Sequence, residues 1–394
     1  MYKEQFIFLK SLVSSKNEKV TKETLTFLEE LHYESIPFDG NIFFIETGGS
    51  EEIFLKIYQK YPAPYHLIAT NMNNSLPSAL EIISYLKERN ISCYLYHGSP
   101  KEVREALLNK NVDASTMVYS LKNNIGLLTN KRIGVIGKPS DWLISSEVDY
   151  IKANEVFNVT LIDVPFLELL NLINIETSIN ISKLKDKINT IINEKELIKA
   201  FKIYNALKKI INKYQLDALT IRCFDLLNSV HSTGCIALSL LNSEGIPSSC
   251  EGDIPSLLSM MLLKELFKVP SFQCNPSYFN VKDNFGYLAH CTIPLSMCKD
   301  FSLDTHFESG IGVGIHGELK ESEVTLFKIN ANLDKFVAYT GKIIENTYKD
   351  NLCRTQIKVH FDDNVSSLLS SPLGNHLLLI YGNRIKEIID QLAK

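Results

Sequence analysis

The first two thirds of the chain repeat one pattern: a short apolar run, a polar turn and a stretch with helical periodicity. In the N-terminal part the predicted strands are 41–47, 66–70 and 92–96, and the predicted helices are 51–61, 76–90 and 101–110. A helix between two consecutive strands is the usual connection between parallel neighbours. The repeat therefore predicts a parallel sheet with helices on its faces.

A second set of the same kind begins at Arg132. Its predicted strands are 132–137, 159–164, 217–224, 246–253 and 271–275, and its predicted helices are 182–213, 232–241 and 254–267. From about Phe285 short strand-like runs follow with little helix, at 286–291, 323–329, 335–340 and 356–360, before a last helix at 384–393. Such runs are typical of a small antiparallel barrel or sandwich. We divide the 394 residues into domains 1–130, 131–295 and 296–394.

Composition excludes several classes of function. The chain carries 41 basic and 45 acidic residues, a net charge of −4, without a long run of one sign. This balance argues against a nucleic-acid scaffold or a polybasic membrane binder. No apolar stretch reaches the ~18 residues of a membrane span. The apolar segment within residues 1–10 is too short for a secretory signal. Eight cysteines without a CxxC pair predict free thiols and a cytoplasmic protein.

Two glycine-rich motifs could bind phosphate. Residues 312–317 fit the GxGxxG pattern, but a predicted strand follows them instead of the helix that the pattern requires, so we reject that interpretation. The sequence Gly48-Gly49-Ser50-Glu51 does stand at a strand-to-helix turn. It either holds an anion at the helix N-terminus or only starts the helix.

The strongest local signal is Cys250-Glu251-Gly252-Asp253, between a predicted strand and the apolar helix 254–267. Residues i and i+2 of a strand share a face, so Glu251 and Asp253 would point into one crevice at the carboxyl end of the strand. Two carboxylates there would hold a divalent metal or divide acid and base roles. In the alternative, Asp253 caps the helix and Glu251 is solvated.

Histidines are concentrated near this signal, since six of the nine lie after residue 220. Three segments place a histidine among small or polar residues: Ala289-His290-Cys291, His306-Phe307-Glu308 and Asn375-His376. Each histidine is either a pocket residue or a satisfied structural one. Arg222, one of only six arginines, would clamp a carboxylate, phosphate or sugar hydroxyl, or would serve as an ion-pair partner.

Nine short motifs carry a resemblance to a known family. They are GKPSDWL (137–143), RCFD (222–225), TGCIAL (233–238), NSEG (242–245), CEGD (250–253), AHC (289–291), HFES (306–309), CRTQ (353–356) and GNH (374–376). In order and spacing they resemble the L-fucose/L-arabinose isomerase-like family, from about residue 130 to the end. The turn at Gly48 resembles that family's N-terminal domain more weakly.

The resemblance implies an α/β fold with two Rossmann-like (flavodoxin-like) parallel-sheet domains followed by a small C-terminal antiparallel β-barrel domain. It also implies a homo-oligomer, a trimer or hexamer, and an aldose–ketose isomerase that works through an enediol at Mn²⁺ or a related ion. Glu251 matches the glutamate that is both metal ligand and acid/base, and His376 matches a histidine ligand. Asn275 stands where the family has a second acidic residue, and an amide cannot act as a base.

We therefore predict a sugar isomerase-like enzyme for a deoxysugar, pentose or modified hexose, without a nucleic-acid or membrane partner. The expected residues are Glu251 and Asp253 for catalysis, Glu251, Asn275 and His376 for the metal, and Arg222, His290, His306, Glu308 and Asn375 for substrate binding. Because of Asn275, the alternative is a non-catalytic sugar-binding sensor or accessory protein on the same fold. A third hypothesis is an enzyme of other chemistry with Cys250 or Cys291 as nucleophile.

Overall fold

The computed structural model describes residues 6–11, 17–32, 41–109, 117–177 and 179–394. Two predicted features extend beyond these residues: residues 1–5 of the N-terminal segment and Lys110 at the end of a predicted helix lie outside them. All eight cysteines are free thiols, as predicted. Within the described ranges no helix is long and apolar enough to cross a membrane.

A four-stranded parallel sheet forms the N-terminal part and confirms the repeat predicted there. Its elements in chain order are β1 (Phe6–Leu9), α1 (Asn17–Leu31), β2 (Ile42–Ile45), α2 (Glu51–Ile57), β3 (Tyr65–Ala69), α3 (Ser75–Glu88), β4 (Cys93–His97) and α4 (Pro100–Asn109). Alternate residues of β2 face opposite sides: Phe44 packs with α1 and α4, and Phe43 packs with α2 and α3. The sheet is therefore covered on both faces by helices.

A second parallel sheet follows, after the short strand β5 (Val118–Ser120). Its elements are β6 (Arg132–Ile136), α5 (Tyr150–Phe157), β7 (Thr160–Val164), α6 (Phe166–Ile175), α7 (Glu194–Tyr214), β8 (Ala218–Ile221), α8 (Asp225–Val230), α9 (Cys235–Ser243), β9 (Ser248–Ser249) and α10 (Ile254–Phe267). The strand order β7-β6-β8-β9 begins like the flavodoxin-like order 2-1-3-4-5, whereas the first sheet runs in chain order.

Two predicted elements of this second set begin or end elsewhere. The helix predicted from residue 182 begins at Glu194, because the Asn193 side chain accepts hydrogen bonds from the amides of Lys195 and Glu196 and caps it there. The strand predicted to run to residue 253 ends at Ser249. Glu251 and Gly252 follow with φ values of 65° and 77°, which turn the chain away from a strand.

The C-terminal part contains a closed antiparallel barrel. Its elements are β10 (Phe272–Asn280), β11 (Phe285–His290), β12 (Cys298–Asp304), β13 (Gly314–Leu319), β14 (Glu323–Ile329), β15 (Lys335–Asn346), β16 (Thr355–Phe361), α11 (Ser366–Ser370), β17 (Leu377–Tyr381) and α12 (Ile385–Leu392). The ring runs β14-β17-β10-β11-β16-β15 and closes through the β14–β15 pair. The structure thus favours the barrel over the sandwich; β12 and β13 form a separate hairpin.

The barrel takes in strands from outside the range predicted for it. β10, predicted as the last strand of the second parallel set, is antiparallel to β11 and β17, and β5 pairs with β15. A local apolar pattern does not specify which strand will pair with it when that strand is a hundred residues away. The predicted position of β10 in the second parallel sheet was therefore wrong. The domain limits at 130 and 295 stay a prediction.

Gly252 lies at a close contact between the motifs at 137–143 and 250–253. A Cβ atom there would lie 2.5 Å from Pro139 Cα and 2.6 Å from the Lys138 carbonyl oxygen. The Ser140 amide also donates a hydrogen bond to the Glu251 carbonyl oxygen, at 2.9 Å. The loop after β6 and the turn before α10 are therefore in backbone contact, and only glycine fits between them.

Replacing Gly252 by Ala tests this contact. Left-handed φ costs a non-glycine residue about 1–2 kcal/mol, and the clash with Pro139 adds to it, so we expect a clearly lower midpoint of thermal unfolding. Gly245→Ala is the matched control, because Gly245 has a φ of 81° and a Cβ atom added there would meet nothing within 4 Å. Equal losses in the two variants, measured by calorimetry, would show that the close approach is unimportant.

Candidate functional site

Glu251 lies in the turn between β9 and α10, at the carboxyl end of the second sheet. Its side chain is buried, with a relative exposure of 8% for the residue. The indole N–H of Trp142, from the loop after β6, donates a hydrogen bond to Glu251 Oε2 at 2.7 Å. The alternative in which Glu251 is simply solvated is therefore wrong.

Two histidines from the barrel approach the same carboxylate. His290 ends β11 and His376 immediately precedes β17. Their Nε2 atoms lie 3.9 Å and 3.5 Å from Glu251 Oε1, and one ligand atom of each residue lies within 4.8 Å of the others. We call Glu251, His290 and His376 the donor cluster. One carboxylate and two imidazoles form a ligand set that suits divalent transition metals.

Asp253 does not share this crevice, contrary to our expectation. It caps α10, since its Oδ1 accepts from the Ser256 amide at 2.7 Å. Lys328 Nζ donates to both carboxylate oxygens, at 3.1 Å to Oδ1 and 2.9 Å to Oδ2, and Oδ2 lies 2.8 Å from His376 Nδ1. Residues 250–253 form a turn instead of a strand, so the two acidic side chains point in different directions and the i, i+2 spacing does not apply. The capping alternative for Asp253 is confirmed.

Burial and charge pairing shift the pKa values of the acidic and histidine side chains at the site. Burial raises the pKa of Asp253, but the charge of Lys328 and the bond to His376 outweigh it and leave the pKa well below its usual value. Burial lowers the pKa of His376, yet Glu251 and Asp253 raise it to about 9. Burial, together with the charge of His376, lowers the pKa of His290 to about 4. At neutral pH both acids are therefore ionised, His376 carries a positive charge beside them and His290 is neutral. A metal ion that binds His376 would displace its Nε2 proton.

A further observation supports a divalent metal ion at the donor cluster. His376 uses Nδ1 for its bond to Asp253, and its Nε2 is buried without a hydrogen-bond partner among the described residues. Metal-binding histidines are usually held in this way, with a carboxylate on one ring nitrogen while the other faces the ion. The chemistry and orientation of the donors thus agree with a cation between them.

Two adjoining cavities open beside the donor cluster. Both are lined by Asn74, Phe224, Glu251, Asn275 and Glu308. The first is also lined by His290, His306 and the thiols Cys223, Cys235, Cys250, Cys291 and Cys353, and the second by Glu51, Trp142 and Asn375. The structure therefore gathers most of the predicted site residues around one space, although their chemical roles stay predictions.

Asn275 lies in β10, opposite Ala289 of β11. It is 5% exposed, lines both cavities, and its Oδ1 atom has no hydrogen-bond partner in the described part of the chain. An amide oxygen without a partner can accept from a ligand hydroxyl or ligate a cation weakly. The position is thus compatible with the predicted weak ligand, and equally with a substrate contact.

Arg222 does not line either cavity, although we expected it to contact substrate. Its guanidinium is engaged by Asp141, by Asp225 with Nε–Oδ2 at 3.0 Å, and by the Pro139 carbonyl oxygen at 2.9 Å. The guanidinium contacts the loop that carries Trp142. Arg222 is therefore an ion-pair partner, which was the alternative to a substrate contact. Asp141 and Pro139 of the loop after β6, together with Asp225 of α8, thus engage the guanidinium.

Four residues of the site were not predicted as such. Asn74 donates to Glu308 Oε1 at 2.6 Å, Trp142 binds Glu251, Glu51 lines the second cavity, and Lys328 is buried in β14. Three signals were available in the sequence. Glu51 belongs to the glycine-rich turn 48–51, which the sequence predicted as an anion site or a helix start. Trp142 belongs to a motif of the resemblance, and Lys328 is a single charge within the apolar run of β14.

The fold and the site together define an α/β protein with a C-terminal barrel and a buried carboxylate–histidine cluster suited to metal-assisted chemistry. No model of a known protein family matches the chain. The chain is similar to proteins named sulfoquinovose isomerase from Priestia aryabhattai and Priestia megaterium, at 22% identity over 333 residues, 80% of this chain and 73% of theirs. It is 23% identical to one from Alkalicoccus urumqiensis over 287 residues, 69% and 65% of the two chains. These similarities support an enzyme.

Replacing Lys328 by Met tests the network behind the donor cluster. The change leaves the buried Asp253 carboxylate without its main counter-charge, and removing one partner of such a pair destabilises by about 3–5 kcal/mol. Lys386→Met is the control: that lysine pairs with Asp390 and its side chain is 82% exposed, so its loss should change the stability little. A Lys328→Met variant as stable as the control in urea unfolding would contradict this role for Lys328.

Proposed function

We propose that the protein is an aldose–ketose isomerase that acts through an enediol at the donor cluster. The observation that carries this proposal is a buried glutamate beside two histidine nitrogens, in a cavity lined with further polar groups. The names of its relatives support a sugar isomerase. The reaction needs no outside oxidant or reductant, because a proton moves between two neighbouring carbons of one sugar.

Glu251 is the acid/base of this mechanism. Burial raises its pKa, but His376, His290 and the Trp142 hydrogen bond bring the pKa below the usual value, so the carboxylate is the base at neutral pH. It removes the proton from C2 of the aldose and returns it to C1, while a proton passes between the two sugar oxygens. Trp142 fixes the carboxylate during these steps by holding Oε2.

The donor cluster would hold a divalent ion such as Mn²⁺, with Asn275 beside it. When bound, such an ion supplies Lewis-acid stabilisation of the negative charge that develops on the two sugar oxygens. Asp253 orients His376 from behind and takes no part as a base, since Lys328, Ser256 and His376 occupy its oxygens. Asp253 is thus a positioning residue.

The remaining polar groups of the cavities would bind sugar hydroxyls. His306 and Glu308 lie on one loop, and Asn74 donates to Glu308 and so fixes that carboxylate. Which aldose is used, the identity of the ion and the expected trimer or hexamer stay predictions, as does the Rossmann-like description of both parallel domains.

Glu251→Gln tests the assignment of the base. Loss of the base should lower turnover by about 10²–10⁴-fold, with the midpoint of thermal unfolding close to that of the wild type. The measurement is ketose formation from a panel of pentoses, hexoses and deoxyhexoses, with the exposed Glu345→Gln as control. Turnover within threefold of the wild type would refute this role for Glu251. A wild type that binds sugars without converting them would favour the non-catalytic sensor.

Metal binding tests the donor cluster separately. After chelation and dialysis, we expect one Mn²⁺ per chain by titration calorimetry, and a loss of at least tenfold in affinity for His290→Ala and for His376→Ala. His316→Ala is the control, since His316 stacks on Tyr348 outside the cluster. Unchanged affinity in both cluster variants would place any bound ion elsewhere.

A further inference from the structure

Glu51 is an acidic residue of the second cavity that has no role in the mechanism above. It is the first residue of α2, directly after the Gly48-Gly49-Ser50 turn that follows β2. This turn packs tightly against the residue before α3: a Cβ atom on Gly48 would lie 2.9 Å from Asn74 Cβ. The N-terminal sheet thereby presents Glu51 and Asn74 to the cavity that Glu251 enters from the second sheet.

The side chain of Glu51 is buried but incompletely hydrogen-bonded. The residue is 1% exposed, and its Oε2 atom has no hydrogen-bond partner among the described residues. Asn74 Oδ1, Asn275 Oδ1 and Asn375 Oδ1, which belong to residues of the same cavity, are also buried without partners there. Each such atom costs about 1–3 kcal/mol when nothing satisfies it. Four of them around one cavity indicate a polar ligand that supplies the missing hydrogen bonds.

The charge of the cavities indicates what kind of ligand this is. Glu51, Glu251 and Glu308 line them, and within the described residues neither lining includes a lysine or an arginine. A sulfonate or phosphate would lie among carboxyl groups without a basic side chain to pair with. Burial raises the pKa of the Glu51 carboxyl well above its usual value, and Glu81 and Glu251 add to this. A neutral carboxyl group both donates and accepts, as a hydroxyl group does.

We propose that Glu51 binds a hydroxyl group of the sugar and selects an uncharged aldose over one that carries a sulfonate or phosphate. This inference rests on the proposed function, because it assigns the substrate class of the same site. It separates the chain from its relatives, whose name specifies sulfoquinovose. Glu51 is thus a specificity-determining residue supplied by the turn that the sequence marked with two glycines.

The test compares Glu51→Ala and Glu51→Gln with Glu52→Gln. Glu52 is the next residue, its side chain is 46% exposed, and it lines neither cavity. Steady-state kinetics are measured with the best uncharged aldose of the panel and with sulfoquinovose. We expect the wild type to prefer the uncharged aldose. Glu51→Ala should raise KM for it at least tenfold with kcat within threefold, Glu51→Gln should lie between Glu51→Ala and wild type, and Glu52→Gln should match wild type.

Thermal unfolding of the same variants distinguishes binding from a structural role. If Glu51 serves the ligand, Glu51→Ala without ligand should unfold at the wild-type temperature or above it, because a buried, incompletely bonded carboxyl is removed. A lower midpoint with unchanged KM would overturn the proposal, and so would a wild type that prefers sulfoquinovose. If no sugar is converted but an uncharged aldose raises the midpoint only when Glu51 is present, the isomerase function fails and the assignment of Glu51 stands. If no sugar is converted and none raises the midpoint, both fail.

Discussion

The buried carboxylate of Asp253 is the interaction on which the rest of the site depends. It caps α10, pairs with Lys328 of β14 and holds Nδ1 of His376 before β17, so it joins the second sheet to the barrel at one point. A buried ion pair adds little net stability compared with apolar packing, yet losing one partner is costly. The Asp253 carboxylate therefore acts mainly by fixing geometry. It determines which nitrogen of His376 faces Glu251.

The turn before α10 gives neighbouring acids different roles. Glu251 has a left-handed φ and Gly252 touches the loop after β6, so the chain cannot continue as a strand. Glu251 is consequently turned toward the histidines and Trp142, while Asp253 is turned into the protein. Backbone strain of this kind is common at functional sites, where surrounding contacts maintain it. The donor cluster follows from this local geometry and from the closed barrel that carries both histidines.

Much of the fold was predictable because it is encoded locally. Repeated strand–turn–helix units predict parallel sheets, and short strands near the C-terminus predict an antiparallel barrel or sandwich. What local pattern cannot specify is partnership across the chain. The placement of β10 depends on β17, about a hundred residues away. The inward direction of Asp253 depends on where a strand ends, and Lys328 is significant only once Asp253 lies opposite it. The resemblance predicted Glu251 and His376 together. For Arg222, the sequence did not show whether the guanidinium would contact the substrate or pair with nearby acidic residues.

The central claim is that Glu251 moves a proton between C1 and C2 of an aldose through an enediol. Isomerisation in D₂O followed by NMR tests it most directly. We expect ketose formed by the wild type to carry solvent deuterium at C1, since the carboxylate exchanges its proton with solvent during turnover. Ketose that forms at the full rate in both the wild type and Glu251→Gln, with the C2 hydrogen transferred intact, would contradict the claim, because a hydride shift needs no base.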